Sequence, residues 1–160
     1  MAVDMFIKIK NIPGESKDHK HKGETDVLAW SWGLSQSGSM HVGGGGGAGK
    51  VNVSDLSFTK WMDKGSPDLA KACCKGTHIK DAVLVVRKAG DKPLEYLTIT
   101  MEDVLISSIS TGGSGGEDRL TENVTLNFAK VKFKYVEQTE KGGEGDKPEM
   151  SWNIEANEPY

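Results

Sequence analysis

Apolar residues recur at every second position through most of this chain, a spacing that makes strands with two unlike faces and scatters around a helix. Asp26 to Ser37 shows it most clearly. Leu28, Trp30, Trp32 and Leu34 share one parity, while Val27, Ala29, Ser31, Gly33 and Ser35 share the other. Bulky aromatics on one face belong in a core. A row of small residues on the other suits close approach by a second backbone or a smooth wall facing solvent.

The same period predicts strands over Met5–Lys10, Val51–Trp61, Asp81–Lys88, Leu94–Met101 and Val104–Ser110, with a turn at Gly90–Pro93. From Leu120 to Gln138 the apolar parity changes sides: Val124, Leu126 and Phe128 precede Ala129, and Val131, Phe133 and Tyr135 follow it on the opposite parity. A bulge, or one strand passing between two sheets, produces such a switch. Met150, Trp152, Ile154 and Ala156 alternate in a last strand. One helix is signalled over Pro67–Lys75, with Ser66 as N-cap, Pro67 in first position, Asp68 on the dipole and Gly76 as C-cap. It is too short to persist without packing on a sheet. About eight strands and one helix predict a mainly β protein: a closed or nearly closed antiparallel β-barrel with one short α-helix.

The 160 residues suit a single domain spanning 1–160. Thirteen of the 20 glycines fall in three clusters, Gly43–Gly49, Gly112–Gly116 and Gly142–Gly145, so the excess belongs to connections. The first gives an extended Gly-rich loop over 38–50 and the last a flexible acidic loop over 139–148. Glu137 to Tyr160 carries seven acids against Lys141 and Lys147, which leaves the rest of the chain near +2 of a net charge of −3. Neither part has the cationic density that phosphate neutralisation requires, and Lys130, Lys132 and Lys134 read as a solvated strand face, so no nucleic acid partner is expected. The composition and the absence of a long apolar run predict no membrane insertion. Without the marks of a signal peptide at Met1–Lys10, synthesis in the cytosol is expected. Cys73 and Cys74, being adjacent, are expected as reduced thiols.

Sites for chemistry are hard to find. Gly44 to Lys50 has the spacing of a phosphate-binding loop, but Val51 stands where a magnesium-binding hydroxyl is needed, and β-type sequence follows where a helix should. His19 and His21, with Asp18 or Glu24, lack the further ligands of a metal site and read as surface histidines. Ser114, between glycines, has nothing to hold its hydroxyl. No catalytic residue, cofactor or metal is therefore expected, and self-association is the natural role: identical subunits covering one another's apolar strand faces. A β-barrel enzyme or small-ligand binder is the alternative.

Three segments carry a family resemblance. Asp26 to Gly33 (DVLAWSWG), the following Ser37–Ser39 with its glycine run, and above all Ser110 to Phe128 (STGGSGGEDRLTENVTLNF) resemble the haemolysin-coregulated protein (Hcp) family, the tube protein of bacterial type VI secretion. The resemblance covers nearly the whole chain. It implies a β-barrel with one helix, homo-hexameric rings stacked into a tube, spike and sheath proteins as partners, and effector proteins as cargo. It implies a bacterial cytoplasmic protein then secreted to the extracellular space or a target cell by the apparatus itself. On that resemblance Ala29, Ser31 and Gly33 are expected to face the lumen and hold effectors. Gly43, Gly44, Gly45, Gly46, Gly47, Gly49 and Lys50 are expected to form the loop that meets an adjacent ring.

Overall fold

The computed structural model describes residues 3–38, 49–90 and 92–160. In chain order these form β1 (Val3–Ile9), β2 (Thr25–Asp26), β3 (Ala29–Ser31), β4 (Leu34–Ser35), β5 (Asn52–Val53), β6 (Leu56–Trp61), α1 (Ser66–Lys75), β7 (Ile79–Lys88), β8 (Glu95–Gly112), β9 (Thr121–Tyr135) and β10 (Glu149–Asn153). All pairings are antiparallel. The main sheet runs β2-β1-β7-β8-β9-β6-β3, with β10 beside the second half of β9, and β4 pairs with β5 separately. The sheet curls into a half-barrel around a core that includes Ile7, Leu84, Ile99, Met101, Val104, Leu126 and Val131.

The parity switch in β9 is real, and β8 shares it. Met101 pairs with Val131 and Val104 with Phe128, and all four side chains are buried. The two strands therefore exchange inner and outer faces at the same level. Asp103, on the intervening level, takes the left-handed φ of 56°, which absorbs the local change of twist. Consequently 95–112 is one long strand, where the sequence suggests two. A second irregularity lies between Ile106 and Ser108; there the Ser107 hydroxyl donates to Asp55 Oδ2 (2.8 Å) and its oxygen lies 3.1 Å from the Thr125 carbonyl.

The segment Asp26–Ser37 departs from its expected form as a single strand. Val27 N donates to Met5 O on β1 (2.9 Å), and Leu28 N to Thr59 O on β6 (2.8 Å), so the segment changes partner between consecutive residues. Alternation resets there: Val27 is buried, Leu28 is 39% exposed and the next residue, Ala29, is exposed as well. Trp30 and Trp32 pack partly against the core as their bulk predicts, but Leu34 is 46% exposed.

The helix starts one residue earlier than expected, with Gly65 as N-cap and Ser66 as its first residue. Ser66 is occupied elsewhere. Its Oγ donates to Glu122 Oε2 (2.8 Å), accepts from Asp63 N (3.0 Å) and lies 3.2 Å from Lys60 Nζ. Lys60 Nζ also donates to Glu122 Oε2 (2.8 Å) and Asp63 Oδ1 (3.1 Å), so all three ammonium protons have acceptors. Lys60 and Glu122 are fully buried. Gly76 closes the helix at φ 62° with Thr77 N on Ala72 O (3.0 Å), and Leu69 and Ala72 pack into the core.

A buried charge deprived of its partner costs far more than a pair removed whole. Glu122→Ala is therefore expected to lower unfolding free energy by about 3 kcal/mol or more. The joint replacement Lys60→Met with Glu122→Leu is expected to cost much less. Urea denaturation of both variants checks the order.

Candidate functional site: an uncharged sheet face

Because directly paired residues share a face, the registers of four neighbouring strands can be read across as rungs. Ala29 pairs with Thr59, Thr59 with Asn123, and Asn123 with Ser110. Two residues along, Ser31 pairs with Ser57, Ser57 with Thr125, and Thr125 with Ser108. All eight side chains are short and uncharged, in a chain that is 27% charged. They are exposed or half-buried, opposite the face that carries Phe58, Val124, Leu126 and Ile106 into the core. Thr59 Oγ1 donates to Asn123 Oδ1 (2.6 Å), and the Ser57 and Thr125 hydroxyls lie 3.4 Å apart, so part of the polarity is satisfied within the sheet.

This face brings Ala29 and Ser31 together as the sequence predicts. Gly33 lies beyond β3, where its N–H donates to Ser54 Oγ (2.9 Å) and its carbonyl accepts from Ser54 N (2.9 Å). Sequence reading missed Ser57, Thr59, Ser108, Ser110, Asn123 and Thr125. The signal was present in the polar parity of 56–61 and 121–126, but pairing those strands requires the register. Of the glycine-rich loop, Gly43 to Gly47 lie outside the described residues; Gly49 and Lys50 lead into β5, not into a helix as a phosphate loop requires.

His21 is not the surface histidine expected. It is buried, stacks on Phe6 with ring centroids 4.4 Å apart, and places Nδ1 3.0 Å from the Glu24 carboxylate and Nε2 2.8 Å from Glu95 Oε1. It thereby ties the 11–24 connection to β8. His19 is exposed and shares no ligand set with it; among the described residues no group of three or more His, Cys, Asp or Glu is placed to hold a metal ion. Cys73 is half-buried and Cys74 exposed, both as free thiols. No helix among the described residues is long and apolar enough to cross a membrane.

A small curled antiparallel sheet with one packed helix and a patch of short uncharged side chains on its outer face defines a β-rich protein built around surfaces. Comparison with known proteins places it. Residues 6–135 match the family described as type VI secretion system effector, Hcp. Protein hcp1 of Pseudomonas aeruginosa is 64% identical over 159 residues, 98% of both chains. Hcp1 from Salmonella typhimurium is 42% identical over the whole of both chains with a TM-score of 0.83. A solved type six secretion system protein is 34% identical over 99% of this chain and 100% of its own, with a TM-score of 0.92. The chain belongs to the Hcp family of type VI secretion proteins.

A second tie on the 11–24 connection responds to acid. Buried Arg87 donates from Nη1 to Asp18 Oδ2 (3.0 Å), from Nη2 to Asp18 Oδ1, and from Nη2 to Asp4 Oδ2 (3.3 Å). The Arg87 hydrogen bond holds the Asp18 carboxyl down from 3.8 to about 2, against a partial opposing effect of burial. A carboxyl lowered in the folded state contributes stability that is full above its unfolded value and lost as pH falls through its folded one. Stability is thus expected to drop between pH 3.8 and about 2. Asp18→Asn should remove that part of the slope in an acid titration followed by circular dichroism; an unchanged slope would contradict the assignment.

Proposed function

We propose that six copies of this chain close into a ring, that rings stack into a tube, and that the eight-residue uncharged face lines the lumen. There it holds and chaperones effector proteins while spike and sheath proteins drive export of the tube and its cargo from the bacterial cytoplasm. The observation that carries this reading is the composition of the two rungs. A channel lined with charge would capture oppositely charged cargo and repel the rest, whereas short hydroxyl and amide groups offer weak contacts to many surfaces. Weak contacts suit a carrier that must release what it carries.

The partner change at Val27 and Leu28 supports a closed barrel as the finer architecture, since one segment is hydrogen bonded to both β1 and β6. Partly exposed apolar side chains support lateral self-association. Tyr135 and Met150 are 43% and 39% exposed, beside Phe133, which stacks on Trp32 with centroids 5.9 Å apart. Neighbouring copies are the natural cover for such a patch. The alternative of a small-ligand binder finds less support. A ligand held by the lumen-side residues would sit in the groove over Ala29, Ser31 and Thr59, and that groove is about 270 Å³, below the roughly 300–1,000 Å³ usual for ligand pockets.

Light scattering on the eluted protein should give a mass about six times 17.3 kDa. Ser31→Trp, on an exposed strand position, should keep that mass while reducing co-purified effector by about tenfold, the change that 1.4 kcal/mol of lost contact produces. A monomer at every concentration, or a ring whose cargo is indifferent to the substitution, would contradict the proposal.

A further inference from the structure

Charge is unevenly distributed along the strand direction. Beyond β9 and β10 the hairpin ladder continues: Tyr135 N donates to Pro148 O (3.0 Å), Glu137 N to Asp146 O (2.8 Å), Gly145 N to Glu137 O (2.6 Å), and Thr139 N to Gly143 O (2.9 Å). Gly142 turns the tip at φ 82°. The result is a shaped prong whose five acids, Glu137, Glu140, Glu144, Asp146 and Glu149, are all exposed. Two lysines offset them in part: Lys141 is exposed beside the tip, and Lys147 engages Glu144 at 2.7 Å. A hydrogen bond from Lys88 Nζ to Gln138 Oε1 fixes the prong beside the end of the sheet where Val3 pairs with Lys88.

The other end of the β1–β7 ladder is marked by the Ile9–Ala82 pair, six residues or about 20 Å away along the strand. Two adjoining grooves open there, of about 250 and 390 Å³, sharing Asn11 and Ile12. Lys10, Lys71 and Lys75 line the first, and Lys8 and Lys22 the second. Their acids are Asp68 and Glu24, and Glu24 is already engaged by His21. His78, in the first groove, is engaged by Asp103 at 3.0 Å. Among the described residues none of these five lysines belongs to an ion pair.

From this polarity we infer that the acidic prong of one copy docks in the lysine grooves of a second copy in the next ring. The contact is heterologous: each copy presents a prong at one end and a receiving groove at the other, so it propagates instead of closing on itself. It rests on the stacked-ring reading and gives stacking its charge chemistry. Exposed pairs are individually weak and screened by salt, but repetition around a ring multiplies them, and complementary ends steer rings into one orientation. A tube joined this way falls apart readily once its surroundings change.

Sedimentation velocity of the full chain reads ring formation and end-on association separately. Association between rings should weaken about tenfold or more from roughly 50 to 500 mM salt, with the ring peak unchanged. Lys71→Glu with Lys75→Glu should weaken it by a similar factor, as should Glu140→Lys with Asp146→Lys. Mixing rings of the two variants should restore association, because reversed groove then meets reversed prong. Rings that associate alike in all variants, mixtures that fail to recover, or wild-type rings that never associate at low salt would overturn the inference. Loss of the ring itself in a reversed variant would also overturn it, by placing those residues in the lateral contact. A wild-type chain that forms no ring at all would instead strike the hexamer reading.

Discussion

The antiparallel ladder between β8 and β9 is the constraint on which the rest of the structure depends. Each strand is too long to keep a single inner face around a small curled core, so the inner parity must change, and because paired residues share a face it must change in both strands at one level. Met101 with Val131 and Val104 with Phe128 bracket that level, and the left-handed Asp103 accommodates it. One half of the ladder then supports β7, β1 and β10; the other supports β6 and β3 and turns the Ser, Thr and Asn rungs outward.

The proposed function follows from what those outward rungs lack. A solvent-facing sheet ordinarily gains solubility from charged side chains, yet across β3, β6, β9 and β8 eight consecutive paired positions carry none. Such a face gives up charge-based selectivity and keeps a smooth, hydrogen-bonding wall. Membership of the Hcp family is what makes the proposed lumen wall a coherent reading, and the docking inferred from the charged ends of the β1–β7 ladder would give such a tube a direction.

Much of this was legible in the residues. Period-two alternation identified the strands, the parity change around Ala129 located the switch, and Pro67 with Gly76 bracketed the helix. Ala29 and Ser31 were found as part of the small face. What could not be read was relational. Nothing in the run Asp26 to Ser37 says that its hydrogen bonding passes from β1 to β6 at Val27 and Leu28, so Leu28 and Leu34 do not follow Trp30 and Trp32 toward the core despite sharing their parity. Ser66 looked like a helix cap because its alternative partners, Lys60 and Glu122, are six and 56 residues away in sequence. His21 looked like a loop histidine for the same reason, since Glu95 lies 74 residues on. Local chemistry shows in sequence; choice between distant partners does not.

The central claim is that the uncharged rungs face a channel enclosed by copies of this chain. A cryo-electron microscopy map of the assembled protein tests it most directly. The predicted result is a six-fold ring with Ser31, Thr59, Asn123 and Ser110 on the wall of its central opening. A ring that turns these side chains toward the outer perimeter, or buries them between adjacent subunits, would contradict it.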